Sequence, residues 1–234
     1  ALLIPILRAR LLARSVESLR LLEGLYDSMR QVAGARVLVD ASKSPAYALL
    51  LSNVPGIDLR VLHLVRDPRG AVFSWANPKF NPASGRPLVR LSGPRMVALW
   101  NTWNLGAELL GRSLPGPHRY ARLRYEDFAE APAAQLHRAL RTLAMLGTGA
   151  LPPFAGERRI FLTRGHTIGG NPGRFEEGVI EIRRDERWRD EASAAFRALV
   201  ALGCAPLLKR YGYRFRRPPR ADRGPSASAP GQIS

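Results

Sequence analysis

Apolar positions in residues 1–33 recur at helical spacing, at Leu3, Leu7, Leu11 and Leu12 and then at Leu19, Leu22, Leu25, Tyr26 and Met29. The spacing predicts two helices with a break near Ser15. The period then changes. Arg36-Val-Leu-Val-Asp40 is a short apolar run that ends on an acid and passes into Ala-Ser-Lys-Ser-Pro. It predicts a buried strand, a loop, and a helix opened by Pro45 and closed by Asn53 to Gly56. Leu59 to Val65 repeats the pattern as a β-rich run, followed by the turn Arg66-Asp-Pro-Arg-Gly and a helix beginning at Ala71. A third unit has Tyr120 to Tyr125 as strand, Glu126-Asp127 as turn and Pro132 to Leu146 as helix. A Pro/Gly-punctuated stretch from Asn77 to Pro94 and a long helix carrying Trp100, Trp103 and Leu110 separate the second and third units. Residues 151–178 read as loop, and 185–211 read as helix with Gly212 as its C-cap.

Strands alternating with helices predict an α/β fold, a mainly parallel sheet flanked by helices. Sheets of this kind bind ligands beyond the carboxyl ends of their strands, where Asp40, Arg66 and Glu126 fall. One domain over 1–215 is expected, with 216–234 a basic, Pro- and Ser-rich disordered tail.

Charge narrows the partners. The 234 residues hold 36 Lys+Arg against 19 Asp+Glu, a formal charge of +17. Only Lys43, Lys79 and Lys209 are lysines, so arginine supplies the other 33. This field favours anions, whether nucleic acid, acidic lipid or small phosphates and sulfates. Part of the excess needs no partner, since many arginines can simply be solvated. The lone Cys204 excludes an internal disulfide, and four scattered histidines argue against a structural zinc. No apolar stretch approaches the roughly 20 residues a bilayer needs, and no secretory signal is evident. The expectation is a cytoplasmic protein without a membrane span or a metal.

The sharpest local signal is Leu62-His-Leu-Val-Arg66-Asp-Pro-Arg-Gly-Ala-Val-Phe-Ser74. A strand end delivers a guanidinium and a helix start follows, an arrangement suited to a dianionic phosphate. The bland alternative is a local Arg66–Asp67 ion pair. His63 reads as a core histidine and the Trp100/Trp103 stripe as core. Glu126 and Asp127 read as structural partners of Arg124 or Arg122.

This segment resembles the 3′-phosphate-binding motif of sulfotransferases that use PAPS (3′-phosphoadenosine 5′-phosphosulfate). Three further segments resemble bacterial members of that family in the same order: Val39-Asp-Ala-Ser-Lys-Ser-Pro45, Arg124-Tyr-Glu-Asp-Phe128 and His166-Thr-Ile-Gly-Gly-Asn-Pro-Gly-Arg174. Pro206 to Tyr213 is similar to their closing helix. The resemblance spans Val37 to Tyr213 and implies a P-loop NTPase-like architecture. It implies that Arg66 and Ser74 grip the 3′-phosphate, and that Gly170, Asn171 and Arg174 contact the nucleotide, with Gly169 and Gly170 permitting close approach. It places a catalytic lysine at Lys43, near the bridging oxygen. Asp40 would orient Lys43, take the acceptor's proton, or only cap its turn; His166 would act as a base or order its loop.

Two features depart from the family. Ala41 replaces a serine of the first loop. The strand and Gly-x-x-Arg-Ser-Gly-Ser/Thr loop with which these enzymes open do not occur, which implies that the chain starts downstream of its phosphosulfate loop. The resulting expectation is a sulfotransferase moving a sulfuryl group from PAPS to a hydroxyl or amine of a small-molecule, glycan or lipid acceptor, with this chain a fragment. The alternatives are a non-catalytic basic anion- or nucleic-acid-binding module and a P-loop kinase fragment. Against nucleic acid, the arginines are spread along the chain and no helix-turn-helix, RNP or zinc pattern appears.

Overall fold

The structure is a computed structural model that describes residues 16–76, 80–81, 86–87, 93–147, 154–163 and 177–215. Helix α1 (Val16–Val32) has the expected apolar spacing, yet none of its residues is fully buried, and Leu21, Leu25, Met29 and Val32 are exposed. The expected break near Ser15 and the helix before it lie outside the described residues, as does the tail after 215.

The expected strand at Arg36–Asp40 does not form. The segment is irregular, and Val39 is 91% exposed. A strand is stable only when its backbone groups pair with a neighbour, and among the described residues none lies beside it. The helix that follows behaves as predicted. In α2 (Pro45–Leu51), Pro45 fills the first turn and the Ser44 hydroxyl accepts the Tyr47 N–H at 3.2 Å.

The second and third units form the centre of the molecule. Strand β1 (Val61–Val65) leads into α3 (Pro68–Ala76). The two-residue pair β2 (Phe80–Asn81) and β3 (Arg86–Pro87) precedes the long α4 (Gly93–Ser113). Strand β4 (Tyr120–Arg124) then leads into α5 (Tyr125–Glu130) and α6 (Pro132–Thr142), so Glu126 and Asp127 open a helix rather than a turn. β1 and β4 pair in parallel, from Val61 opposite Tyr120 to Val65 opposite Arg124. Their C-terminal ends are therefore level, and Arg66-Asp67 meets Tyr125-Glu126. Among the described residues this is the whole parallel sheet.

One face of the pair carries His63 and Val65 toward a core of Val72, Met96, Trp100, Val200, Cys204, Leu208, Tyr211 and Tyr213. On the other face α6 packs on β4, burying Ala121 and Leu123, whereas Leu62 and Leu64 of β1 are 40% and 52% exposed. His63 is a core residue, as expected. Its Nε2 and the Asn104 Oδ1 are 2.9 Å apart, so Nε2–H donates, and Nδ1 accepts from the Tyr120 hydroxyl at 2.6 Å. Burial pushes its pKa below the usual imidazole value.

Within the stretch expected to be loop, β5 (Arg159–Leu162) pairs antiparallel with β6 (Gly178–Glu181). The alternation of Ile160 and Leu162 against exposed neighbours carries this pairing, and its short length hid it among Pro and Gly. The expected single helix over 185–211 is three: α7 (Trp188–Glu191), α8 (Ala194–Gly203) and α9 (Ala205–Arg210). Ser193 restarts the helix by accepting the Phe196 N–H at 3.2 Å, and Pro206, which lacks an N–H, resets it again. Gly212, at φ 75°, closes the series as predicted. Among the described residues no helix is long and apolar enough to cross a membrane, and no group of metal-ligating side chains converges.

Candidate anion site at the strand ends

Asp67 and Arg69 sit 6% and 5% exposed beneath the turn that follows β1. The Arg69 Nε donates to Asp67 Oδ1 at 2.9 Å and Nη2 donates to Oδ2 at 2.7 Å, a fork-to-fork pair. The same Oδ1 accepts the Arg69 backbone N–H at 2.9 Å. Arg69 spends its remaining donors on the Phe215 and Arg214 carbonyls at 3.0 and 3.1 Å. From the β4 side, Glu126 accepts the Asp67 N–H at 3.0 Å and the Tyr213 hydroxyl at 2.6 Å. Both strand ends and the C-terminal segment are thus tied by buried, satisfied hydrogen bonds, which hold the turn in one shape.

Asp67 therefore belongs to Arg69, and the local Arg66–Asp67 pair is not formed. Arg66 projects past the network instead. Its Nη2 donates to Asp185 Oδ2 and to the Asp185 carbonyl, each at 3.1 Å, and its guanidinium lies 4.8 Å from the centre of the Tyr125 ring. The Tyr125 hydroxyl donates to the Arg183 carbonyl at 3.2 Å and accepts the Asp185 N–H at 3.2 Å, so the ring positions both partners. Arg187 reaches the same carboxylate, with Nε 3.0 Å from Oδ1 and Nη2 3.3 Å from Oδ2. Arg187 first, and Arg66 with it, hold the Asp185 carboxyl at about 2 although burial opposes this.

Gly70 makes the close packing possible. A Cβ there would stand 2.9 Å from the Trp188 ring and 3.3 Å from the Arg66 Nε. Trp188 in turn lies under Arg69, 4.9 Å from ring centre to guanidinium carbon. Ser74 is half-buried late in α3, on the helix that Arg66 precedes.

The loop from Asp40 to Lys43 is built differently. Asp40 accepts the Ser42 N–H at 2.7 Å, the local turn-capping geometry, and its other oxygen accepts the Tyr26 hydroxyl, which also lies 3.1 Å from the Tyr47 hydroxyl. Burial works against the Asp40 charge, but the bonds from Tyr26 and Ser42 outweigh it and lower the carboxyl below its usual value. A carboxylate so held is a weaker base. Lys43 is exposed and adopts φ 66°, a left-handed conformation uncommon for a residue with a Cβ. Among the described residues no hydrogen bond, ion pair or ring contact joins this loop to Arg66. His166, Gly170, Asn171 and Arg174 lie outside the described residues.

Sequence reasoning overlooked Tyr26, Arg69, Tyr125, Asp185 and Trp188. Arg69 stands in the same turn as Arg66 and Tyr125 in the Arg-Tyr-Glu-Asp segment, so both were within reach; Tyr26 and Asp185 had no local signal.

Over 96 residues, 41% of the chain, the protein is 34% identical to mouse (Mus musculus) carbohydrate sulfotransferase 7. The match spans 19% of that relative's length. No family model and no solved structure matches. The likeness supports a relation to sulfotransferases.

Proposed function

We propose that the chain is the nucleotide-gripping part of a PAPS-dependent sulfotransferase of P-loop type, in which the turn after β1 holds the 3′-phosphate. The observation that carries this reading is the Arg66 guanidinium, delivered by a parallel strand end, backed by a buried network and already bonded to an oxyanion, the Asp185 carboxylate. A site that holds one oxyanion in this way fits another. The order of the four motif segments and the mouse relative add to it.

When bound, PAPS supplies the sulfuryl group. An acceptor oxygen or nitrogen bonds to sulfur as the sulfur–phosphate oxygen bond breaks; the electron pair stays on 3′-phosphoadenosine 5′-phosphate and the acceptor proton passes to a base. Such chemistry asks the protein for position and for positive charge at the leaving oxygen. Arg66, with Ser74, fixes the nucleotide end. Lys43, held in an uncommon backbone conformation, is assigned to the leaving oxygen. Asp40 caps and orients that loop, since its lowered basicity suits it poorly to taking a proton. His166 is assigned to base or loop ordering, and Gly170, Asn171 and Arg174 to the nucleotide. Because the relative is named a carbohydrate sulfotransferase, a glycan is the first acceptor to test.

Calorimetry with 3′-phosphoadenosine 5′-phosphate on the wild type and Arg66→Ala tests the assignment. Wild-type binding that weakens at least tenfold in the variant is expected, as loss of a charge-assisted bond costs about 1.5–3 kcal/mol. Equal binding by both proteins would sink it. Binding to nucleic acid that falls steeply with salt and ignores Arg66 would favour the basic-module reading instead.

A further inference from the structure

Two guanidinium groups converge on one carboxylate at this site, and the second was not anticipated from any motif. Arg66 holds Asp185 from the strand end at 3.1 Å, and Arg187 holds it from the far side at 3.0 Å. The side chains of Arg66 and Asp185 are only 23% and 25% exposed, whereas that of Arg187 is 61% exposed. The other carboxylates lining the same small polar cavity, Asp67, Glu126 and Glu186, have partners of their own: Arg69 for Asp67, the Asp67 N–H and the Tyr213 hydroxyl for Glu126, and Arg184 and Arg189 for Glu186. Removing Asp185 would therefore leave Arg66 and Arg187 without the carboxylate they share, with only the Glu191 charge still acting on Arg187, while the other cavity carboxylates kept their own partners.

We infer that Arg66 and Arg187 together form a two-arginine site for a phosphate-type dianion, and that the Asp185 carboxylate occupies it as an internal stand-in that the ligand displaces. The identity of the ligand as a nucleotide 3′-phosphate rests on the sulfotransferase reading; the site itself rests on the two contacts to Asp185. A phosphate monoester carries about −1.5 to −2 at neutral pH and three acceptor oxygens, against −1 and two for a carboxylate. Between the same two cations it gains more from Coulomb attraction and accepts forked bonds from both guanidinium groups. A dianion thus wins the exchange where chloride or acetate does not. Arg187 becomes a specificity residue for the phosphate, and Asp185 sets the affinity by competing with it.

The test is calorimetry with two probes, 3′-phosphoadenosine 5′-phosphate and adenosine 5′-monophosphate, which lacks the 3′-phosphate. Arg187→Ala is expected to weaken the first about fivefold and leave the second unchanged. Asp185→Asn is expected to tighten the first about fivefold, and Asp185→Glu to restore wild-type affinity. In an Arg66→Ala, Arg187→Ala background Asp185→Asn should lose its effect, and in either single background the effect should shrink, which a merely structural role would not produce. Asp27→Asn removes the same charge at an exposed position on α1 and is expected to change affinity less than twofold. The inference is overturned if Arg187→Ala binds the bisphosphate like the wild type, if Asp185→Asn fails to tighten it, or if Asp27→Asn tightens it as much. With Arg66→Ala weakened in any of those cases, the sulfotransferase reading still stands. Should Arg66→Ala itself bind normally, that reading falls and the two-arginine site falls with it. Thermal melts of each variant confirm that the folded protein is being titrated.

Discussion

Asp67 and Asp40 each follow an apolar run, and the structure has treated them in opposite ways. Asp67 is 6% exposed, locked to Arg69, and its backbone is tied to Glu126 across the parallel pair. Asp40 is exposed, bonded to its own turn and to one tyrosine of α1, a helix with no buried residue. Both stand in segments that resemble one enzyme family. The difference lies in pairing: Val61–Val65 found β4, whereas Val37-Leu-Val39 found no strand among the described residues. An apolar run without a partner strand leaves its chemistry on a loop, while one with a partner sets its terminal residues into a buried network.

The comparison breaks most sharply at Glu126. Glu126→Ala strands the buried Asp67 N–H and leaves the buried Tyr213 hydroxyl only the longer bond to the Val65 carbonyl at 3.3 Å, and should cost about 3 kcal/mol by chemical denaturation. Asp40→Asn should cost about 0.5 kcal/mol by the same measurement. Equal losses would mean that the two regions are equally integral to the core. Gly70→Ala comes next, at about 2 kcal/mol, because the new methyl meets Trp188. It should also weaken bisphosphate binding by displacing Arg66, which calorimetry reads alongside the melt.

A smaller effect, confined to acid, comes from His63 on β1. Its folded pKa lies below the unfolded value near 6.5, so its contribution is complete above that pH and is lost as the pH falls through the lowered value. Denaturation midpoints should drop from pH 7.5 to pH 5, and His63→Gln should flatten that drop. An unchanged slope would show that His63 is not the titrating group. The gentlest probe is Tyr26→Phe. It removes one donor from Asp40, so the carboxyl titration followed by NMR should move up toward the usual value, with less than about 1 kcal/mol lost from the fold. A large loss would make the loop more tightly integrated than its exposure indicates.

Much of the centre was legible in the chain. Strand, turn and helix around Arg66, the core role of His63, the opening of α2 at Pro45, and the stop at Gly212 all follow from local chemistry. Periodicity reported a strand at 36–40 that pairing then denied, and missed β5 within a run of Pro and Gly. Local sequence also suggested the wrong partner for Arg66. Neighbouring residues in a chain are an obvious ion pair, but the turn aims Asp67 inward to Arg69 and Arg66 outward.

What the sequence determined by itself is the opening of α2 at Pro45, the strand and arginine-bearing turn around Arg66, and the stop at Gly212, because caps, turns and charge depend on residues a few positions apart. Only the tertiary structure decided that Arg66, Tyr125, Asp185 and Arg187 share one place. That grouping depends on the level ends of two parallel strands and on a C-terminal segment returning over them, with Arg66 and its partner Asp185 119 positions apart, a contact that no local pattern records.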